Sequence, residues 1–448
     1  MQFLAKDRII AGPGYNRWLI PPAALAIHLC IGQVYAFSTF NLPLSRAIGI
    51  TRSAEADWKL TEIGWVFTIA IVVLGLSAWF GGKWLEHAGP RKSGVFSACC
   101  WGLGFLISAL GVRWHALWMI DVGYGVIGGC GLGLGYITPV STLIKWFPDR
   151  RGLATGMAIM GFGGGAMIAA PLSEFLMERF KTTSSTGVSE TFLVLGAVYF
   201  VAMICGAFGF RLPPPGWKPP HWAGPGSGRA RAAAHDVTAD EAVLTPQFCL
   251  LWVVLFVNVT AGIGVIGQAS PMIQEVFKGR IQPDAAAGFV GLLSLFNMGG
   301  RFVWSSLSDY LGRKPTYSIF FLLGAILYAS VPAVGKLGSV PLFVACFAVI
   351  LSMYGGGFAT IPAYLSDIFG TQHVGAIHGR LLTAWSAAGI AGPVLVNYIR
   401  QYQLDHGVEK AQAYNTTMEI VAGLLVVGLL CNLAVRRLAA SPAPAERE

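Results

Sequence analysis

Long apolar runs broken by short polar loops set the rhythm of this chain from end to end. Runs of about 18 or more apolar residues are long enough to cross a bilayer as helices. Twelve occur, near 18–42, 61–81, 93–112, 116–138, 152–176, 190–210, 248–270, 286–307, 316–335, 340–361, 376–398 and 414–436. The two-residue alternation of a membrane barrel is missing, which leaves helices as the spanning solution. The pattern predicts an all-α polytopic membrane protein with twelve transmembrane helices. One polar stretch interrupts the series. Leu212-Pro-Pro-Pro-Gly-Trp-Lys-Pro-Pro-His221 through Thr245 is too rich in Pro, Gly and charge to span,. It predicts an N-terminal six-helix bundle (1–211), a cytoplasmic linker (212–245) and a C-terminal six-helix bundle with a cytoplasmic tail (246–448). Residues 236–242 can form a short surface helix within that linker.

The two halves repeat. Gly82-Lys-Trp-Leu-Glu86-His-Ala-Gly89-Pro-Arg91-Lys92 joins spans two and three, and Ser305-Ser-Leu-Ser-Asp309-Tyr-Leu-Gly312-Arg313-Lys314 joins spans eight and nine. The interval from Glu86 to Asp309 is also the interval from Gly89 to Gly312 and from Pro139 to Pro362. A shared offset predicts two pseudo-symmetric bundles around a midplane site, the plan of a rocking secondary transporter.

Charge refines the orientation. The net charge is +9 and only 12% of residues are charged. With the N-terminus inside, 19 of the 31 Lys and Arg fall on inner segments and 11 on outer ones, with Arg301 between. Inner clusters are Lys83/Arg91/Lys92, Lys145/Arg150/Arg151 and Arg436/Arg437, as positive-inside sorting requires. The basic excess thus reflects topology and not nucleic-acid binding, and both termini are expected in the cytoplasm. The first seventeen residues lack a small-residue cleavage site and read as a cytoplasmic tail. Eight cysteines lie within spans or at their ends without metal spacing,. No metal, cofactor or catalytic constellation is expected, so the chain reads as no enzyme. The expected setting is the inner membrane of a bacterium, as a monomer.

One residue breaks the apolar pattern. Arg301 stands within Gly288-Phe-Val-Gly-Leu-Leu-Ser-Leu-Phe-Asn-Met-Gly-Gly-Arg301-Phe-Val-Trp-Ser-Ser-Leu307. Its guanidinium cannot shed its proton, so it needs a wet cavity or a partner. The eight residues to Asp309 rise roughly 12 Å in a helix, which sets Arg301 near the middle of a hydrocarbon layer about 30 Å thick. Asn297 lies one turn earlier on the same face. Spans seven to eleven offer no acid at that depth. A planar fork of donors fits a carboxylate, so Arg301 and Asn297 are candidates for binding a small carboxylate anion.

The acidic-x-x-Gly-basic turns after spans two and eight resemble the signature loop of the major facilitator superfamily. Trp146-Phe-Pro-Asp-Arg-Arg-Gly152 and Ser366-Asp-Ile-Phe-Gly370 resemble, more narrowly, the oxalate:formate antiporter family, a relation of the monocarboxylate transporters. That resemblance implies the twelve-helix fold and an anion-binding arginine at the position of Arg301. The family's oxalate transporters carry a second cation, a lysine, in span eleven. Here that position falls on Trp385, and Arg380 lies five residues nearer the cytoplasmic end. A single cation beside an indole fits a monocarboxylate such as formate, lactate or pyruvate better than a dicarboxylate. Tyr35, Tyr136, Phe162 and Phe358 match aromatic positions that line the substrate chamber in the resembled family; packing within the helices is the plainer reading of each.

His28, within span one, is the candidate for proton coupling, against the plainer reading of a hydrogen-bonded core histidine. His378, opening span eleven, suits a solvated or gating role. Glu86 and Arg91 in one half, and Asp309 and Arg313/Lys314 in the other, fit a cytoplasmic gate that pairs with neighbouring helix ends; retention charge alone is the alternative. The expectation is a secondary active transporter of small carboxylates working by alternating access, through anion exchange or proton symport. An oxalate/formate exchanger, or a proton-coupled carrier of another small organic solute, is the alternative.

Overall fold

A computed structural model describes residues 2–220, 236–278, 280–436 and 438. The middle of the expected linker, Arg437 of one basic cluster and most of the expected tail lie outside the described residues. Twelve long helical segments follow in order. They are α1 (Arg17–Leu44), α2 (Leu60–Ala88), α3 (Pro90–Arg113), α4 (Leu117–Trp146), α5 (Arg151–Phe180) and α6 (Val188–Gly209), then α7 (Pro246–Val276), α8 (Pro283–Leu311), α9 (Arg313–Leu337), α10 (Val340–Phe369), α11 (Val374–Asp405) and α12 (Asn415–Ala434). Among the described residues, eleven are long and apolar enough to cross a membrane by length and composition. The twelfth is α8, 29 residues long, which carries Asn297 and Arg301 in its interior. The helices outrun the apolar stretches read from sequence. A 29-residue helix is about 44 Å long against a hydrocarbon core of about 30 Å, so backbone hydrogen bonding carries on into the charged loops.

The repeat is visible in the helix boundaries. The offset that relates Glu86 to Asp309 also relates both ends of α2 to those of α8, and both ends of α4 to those of α10. It relates the starts of α3 and α5 to those of α9 and α11 as well. The signature turns share one backbone shape. Gly89 has φ 83° and ψ 162°, and Gly312 has φ 93° and ψ 153°, a region open in practice to glycine alone. Burial differs from helix to helix. In their most apolar stretches α10 is 72% buried and α7 67%, whereas α9 is 33% and α6 and α12 are 39%. The first pair is the most enclosed, and α9 the least.

Two seams join the bundles, α5 against α8 and α2 against α11. Both depend on bare backbone. A Cβ on Gly156 would stand 2.2 Å from Ser305 Oγ and 3.0 Å from Arg301 O, and one on Gly379 would stand 2.2 Å from Ala78 O. Gly156 and Gly379 are equivalent positions of the repeat, and so are Ala78 and Arg301. Close approach through small residues is the general device of helix packing in membranes.

The N-terminal segment and the start of the linker lie together on the face of the signature loops. Leu212 accepts a hydrogen bond from Ala11 and donates one to Ile9 (both 2.8 Å), and Lys6 Nζ reaches Glu86 O at 2.7 Å. The short helix expected in the linker is present as Ala239–Val243, capped by Thr238.

Candidate functional site

Irregular backbone surrounds the centre of the molecule. In α1 the helix tightens to a 3-10 form over Gly32–Phe40, α4 widens to a π-helix over Asp121–Gly128, and α11 is interrupted at Leu382. Such departures inside a bundle are tolerated where protein surrounds them, and often mark functional positions. Tyr35 sits within the first and Trp385 just beyond the third.

Arg301 lies at the α5/α8 seam with no exposed surface. Its Nε donates to Asn297 Oδ1 at 3.3 Å and its Nη1 to Ile159 O at 3.4 Å, while Nη2 has no partner. Its guanidinium carbon stands 5.7 Å from the Phe162 ring centre and 5.3 Å from that of Phe358. No acid pairs with it among the described residues. Gly163 makes the space, since a Cβ there would lie 2.7 Å from Arg301 Nε. A buried cation without a counter-charge costs several kcal/mol, and each ring contact returns about 0.5–2 kcal/mol. The deficit favours a site whose ligand supplies the negative charge.

Aromatic rings close around this cation. Phe162 stands 5.1 Å from Tyr35, 5.3 Å from Tyr136 and 5.3 Å from Trp385; Trp385 is 4.8 Å from Phe358 and 6.3 Å from Tyr35. The chain thus brings α1, α4, α5, α8, α10 and α11 together through residues named from sequence. Several of their polar atoms are buried and unpartnered: the Tyr136 hydroxyl, Trp385 Nε1 and Arg301 Nη2. All three can donate. Buried donors without acceptors are rare in proteins, and these three belong to side chains that all adjoin the Phe162 ring.

The two histidines differ in their surroundings, and His28 has those of its plainer reading, a hydrogen-bonded core histidine. His28 is tied at both ring nitrogens, Nδ1 to Ala158 O at 2.6 Å and Nε2 to Tyr136 O at 3.1 Å. His378, expected to be solvated, is buried beside Tyr136 at 5.8 Å between ring centres, and neither nitrogen has a partner. Tyr354 is a wall residue that the sequence reading passed over. Its hydroxyl lies 3.4 Å from that of Tyr35, and its ring is 5.3 Å from Phe358. The signal was its position one helical turn before Phe358.

At the signature-loop face, Asp309 reaches from α8 to the first turn of α5, accepting from Gly152 N at 2.8 Å and Leu153 N at 2.9 Å. A carboxylate at a helix N-terminus meets unpaired N–H groups and the positive end of the dipole. Arg313 pairs with Asp309 at 2.6 Å and with Asp367 at 3.2 Å, and Asp367 also takes Arg151 of α5 at 2.8 Å. Asp367 and Arg151 stand in the loop motifs read from sequence, yet only the packing shows that they meet. Glu86 binds Lys145 within its own bundle at 2.7 Å, and its Oε1 faces Gly375 of α11 without a bond. Arg91 does not reach the other bundle. It donates to Phe208 O, Phe210 O and Phe3 O, and Lys314, its counterpart in the repeat, holds Leu433 O and Val435 O. Each basic residue therefore fastens the end of the last helix of its own bundle.

Two six-helix repeats closed around a buried cation define a membrane transporter. A sequence profile of the Major Facilitator Superfamily matches residues 23–393, and the chain belongs to that superfamily. Among curated proteins it is 27% identical to the oxalate:formate antiporter of Oxalobacter formigenes over 84% of this chain and 83% of that protein. It is 26% identical to monocarboxylate transporter 11 of Homo sapiens, covering 87% and 79%. Among solved structures it superposes on the major facilitator FucP in the outward conformation with a TM-score of 0.68 at 12% identity, covering 94% of this chain and 100% of that one. The last similarity concerns the fold alone. The resemblance read from the loop motifs is thereby shown, and the family and fold are those of membrane transporters.

Proposed function

We propose that this protein carries small monocarboxylates, of the size of formate, lactate or pyruvate, by alternating access, through anion exchange or proton symport. The observation that carries the reading is Arg301, buried and uncompensated, with Nη2 open beside the donors of Tyr136 and Trp385. A carboxylate completes this set. Asn297 orients the guanidinium, Phe162, Phe358, Tyr35 and Trp385 exclude water and limit size, and the low polarity strengthens the ion pair. The similarity to an oxalate:formate antiporter and a monocarboxylate transporter supports the same substrate class. The halves 1–211 and 246–448 would rock about the two seams, with 212–245 joining them. The signature-loop face, both termini included, would be cytoplasmic in a bacterial inner membrane. Glu86, Asp309 and Arg313 would form the gate, Arg91 serving it only through its own bundle.

The deciding experiment is carboxylate uptake into proteoliposomes by Arg301→Gln. Loss of uptake with unchanged folding is expected; wild-type uptake would overturn the site. A second reading, oxalate/formate exchange, is favoured by His378, an unpartnered imidazole beside Tyr136 whose ring N–H could donate to a second carboxylate. Thermal stabilisation by oxalate over formate, lactate and pyruvate would select it.

A further inference from the structure

The docked end of the linker touches both bundles. Val237 N donates to Phe369 O at 2.9 Å, and Asp236 accepts from Gln372 N at 3.0 Å, so this segment is fastened to the end of α10. Thr238 and Glu241 then form a reciprocal cap, Thr238 N to Glu241 Oε2 at 2.9 Å and Glu241 N to Thr238 Oγ at 3.4 Å, which starts the helix Ala239–Val243 and fixes its direction,. That direction aims Asp240 at the α2/α11 seam. One carboxylate oxygen takes Lys83 Nζ of α2 at 2.5 Å, and the other takes Arg380 Nη2 of α11. Arg380 in turn lies 5.4 Å over the Trp79 ring of α2.

The repeat shows why this acid stands there. At the α5/α8 seam the bundles are joined by Arg151 and Asp367 and by the Asp309 cap. The repeat counterparts of Arg151 and Asp367 are Val374 and Ile144, which carry no charge. Among the described residues no ion pair joins α2 or α4 directly to α11. Lys83 and Arg380 are themselves both cationic, and their counterparts are Ser306 and Met157. Without Asp240 the α2/α11 seam would close on two like charges.

We propose that the linker helix is a detachable strap of the α2/α11 seam, in which Asp240 bridges Lys83 and Arg380 only while the signature-loop face is closed, and so biases the protein towards that state. The strap rests on the alternating-access reading above. Residues 236–243 belong with the C-terminal bundle through α10, so opening would carry Lys83 away and leave Asp240 with Arg380. An exposed bridge is weak, which suits an element that must open in every cycle.

The test is the distance between spin labels at His87→Cys and Gln372→Cys in the full-length protein with its native cysteines replaced, in detergent without substrate. Asp240→Asn should raise the ratio of open to closed populations about two- to fivefold. Lys83→Gln should do the same, and the double variant should add little to either. Asp309→Asn serves as the control at the other seam. If it raises the open population while Asp240→Asn leaves it unchanged, the strap is overturned and alternating access stands. If no variant ever shows a second population, the alternating-access reading falls. Failure of Arg301→Gln to affect uptake would remove the substrate assignment and leave the strap untouched.

Discussion

The α5/α8 and α2/α11 seams are built to one backbone plan and filled with different chemistry. Gly156 and Gly379 occupy equivalent places and admit the facing helix equally closely. At the equivalent places on those facing helices stand Arg301 and Ala78. One seam thus holds the buried cation, a helix cap and an ion network, and the other is uncharged at mid-depth, where Ser386 donates to Ile71 O at 2.8 Å, and is fastened by a segment from outside the bundles. The lesson is that the repeat supplies a common backbone while the departures from it supply the charges and hydrogen bonds that distinguish the seams. Two equivalent arginines would repel across the centre, and a carboxylate could satisfy only one.

The largest expected effect falls where the seams differ most. Arg301→Gln should reduce carboxylate uptake by about a hundredfold or more, the loss of a charged, bidentate partner amounting to about 3–5 kcal/mol. The ligand-free protein should at the same time melt no lower than wild type, because an uncompensated charge has been removed. Ala78→Ser, at the equivalent place, should leave uptake within about twofold. Equal losses at the two positions would show that the site is as symmetric as the backbone.

Next come the glycines, where the seams agree. Gly156→Val and Gly379→Val both force a side chain into backbone or hydroxyl contacts near 2.2 Å. Overpacking of this kind costs about 1–3 kcal/mol, so each should shift the population from closed to open by about fivefold to a hundredfold. Spin-label distances across each seam check this. A large effect at one and none at the other would mean that the seams do not close together.

Much of this was legible in the chain. Twelve apolar runs gave twelve helices, and the offset between the halves reappears in helix boundaries and in the dihedral angles of Gly89 and Gly312. Arg301, Asn297, Phe162, Phe358, Tyr35, Tyr136 and Trp385 converge, because a charge in an apolar run and aromatics at helical spacing are local signals. Partners across the bundles were not legible. Nothing in the spacing tells that Asp309 caps α5 and not its own helix, or that Asp367 meets Arg151. His28 and His378 illustrate the same limit. Both read as histidines in or near a span, and only the placement of Ala158 O and Tyr136 O decides which ring is occupied.

A smaller effect separates the two acids of the signature turns. Asp309 makes two bonds to α5 N–H groups, whereas Glu86 is engaged by Lys145 and only faces α11. A charge at a helix N-terminus contributes about 0.3–2 kcal/mol according to burial. Asp309→Asn should therefore raise the open population by about two- to thirtyfold, and Glu86→Gln by less than Asp309→Asn does. The reverse order would assign the stronger latch to the α2/α11 seam.

The effect of Asp240, also small, differs from the others in its response to solution conditions. Hydrogen bonding to Lys83, then to Arg380, holds the Asp240 carboxyl down to about 2, below its usual value near 3.9. A depressed acid contributes fully above its ordinary value and loses that contribution as pH falls towards the depressed one. The strap should then be constant between about pH 5 and 8, and release only in strong acid. Salt should act where pH does not. The Lys83 and Asp240 side chains are 51% and 65% exposed, whereas Arg151 and Asp367 are 8% and 18%. The screening length falls from ~10 Å at ~0.1 M salt to ~3 Å at ~1 M. Raising salt over that range should bring wild type and Asp240→Asn to the same open fraction while Asp309→Asn keeps its difference from both. If Asp240→Asn kept its difference too, the bridge would be shielded from solvent and would belong to the bundle itself; a strap that must detach in each cycle has to stay within reach of water.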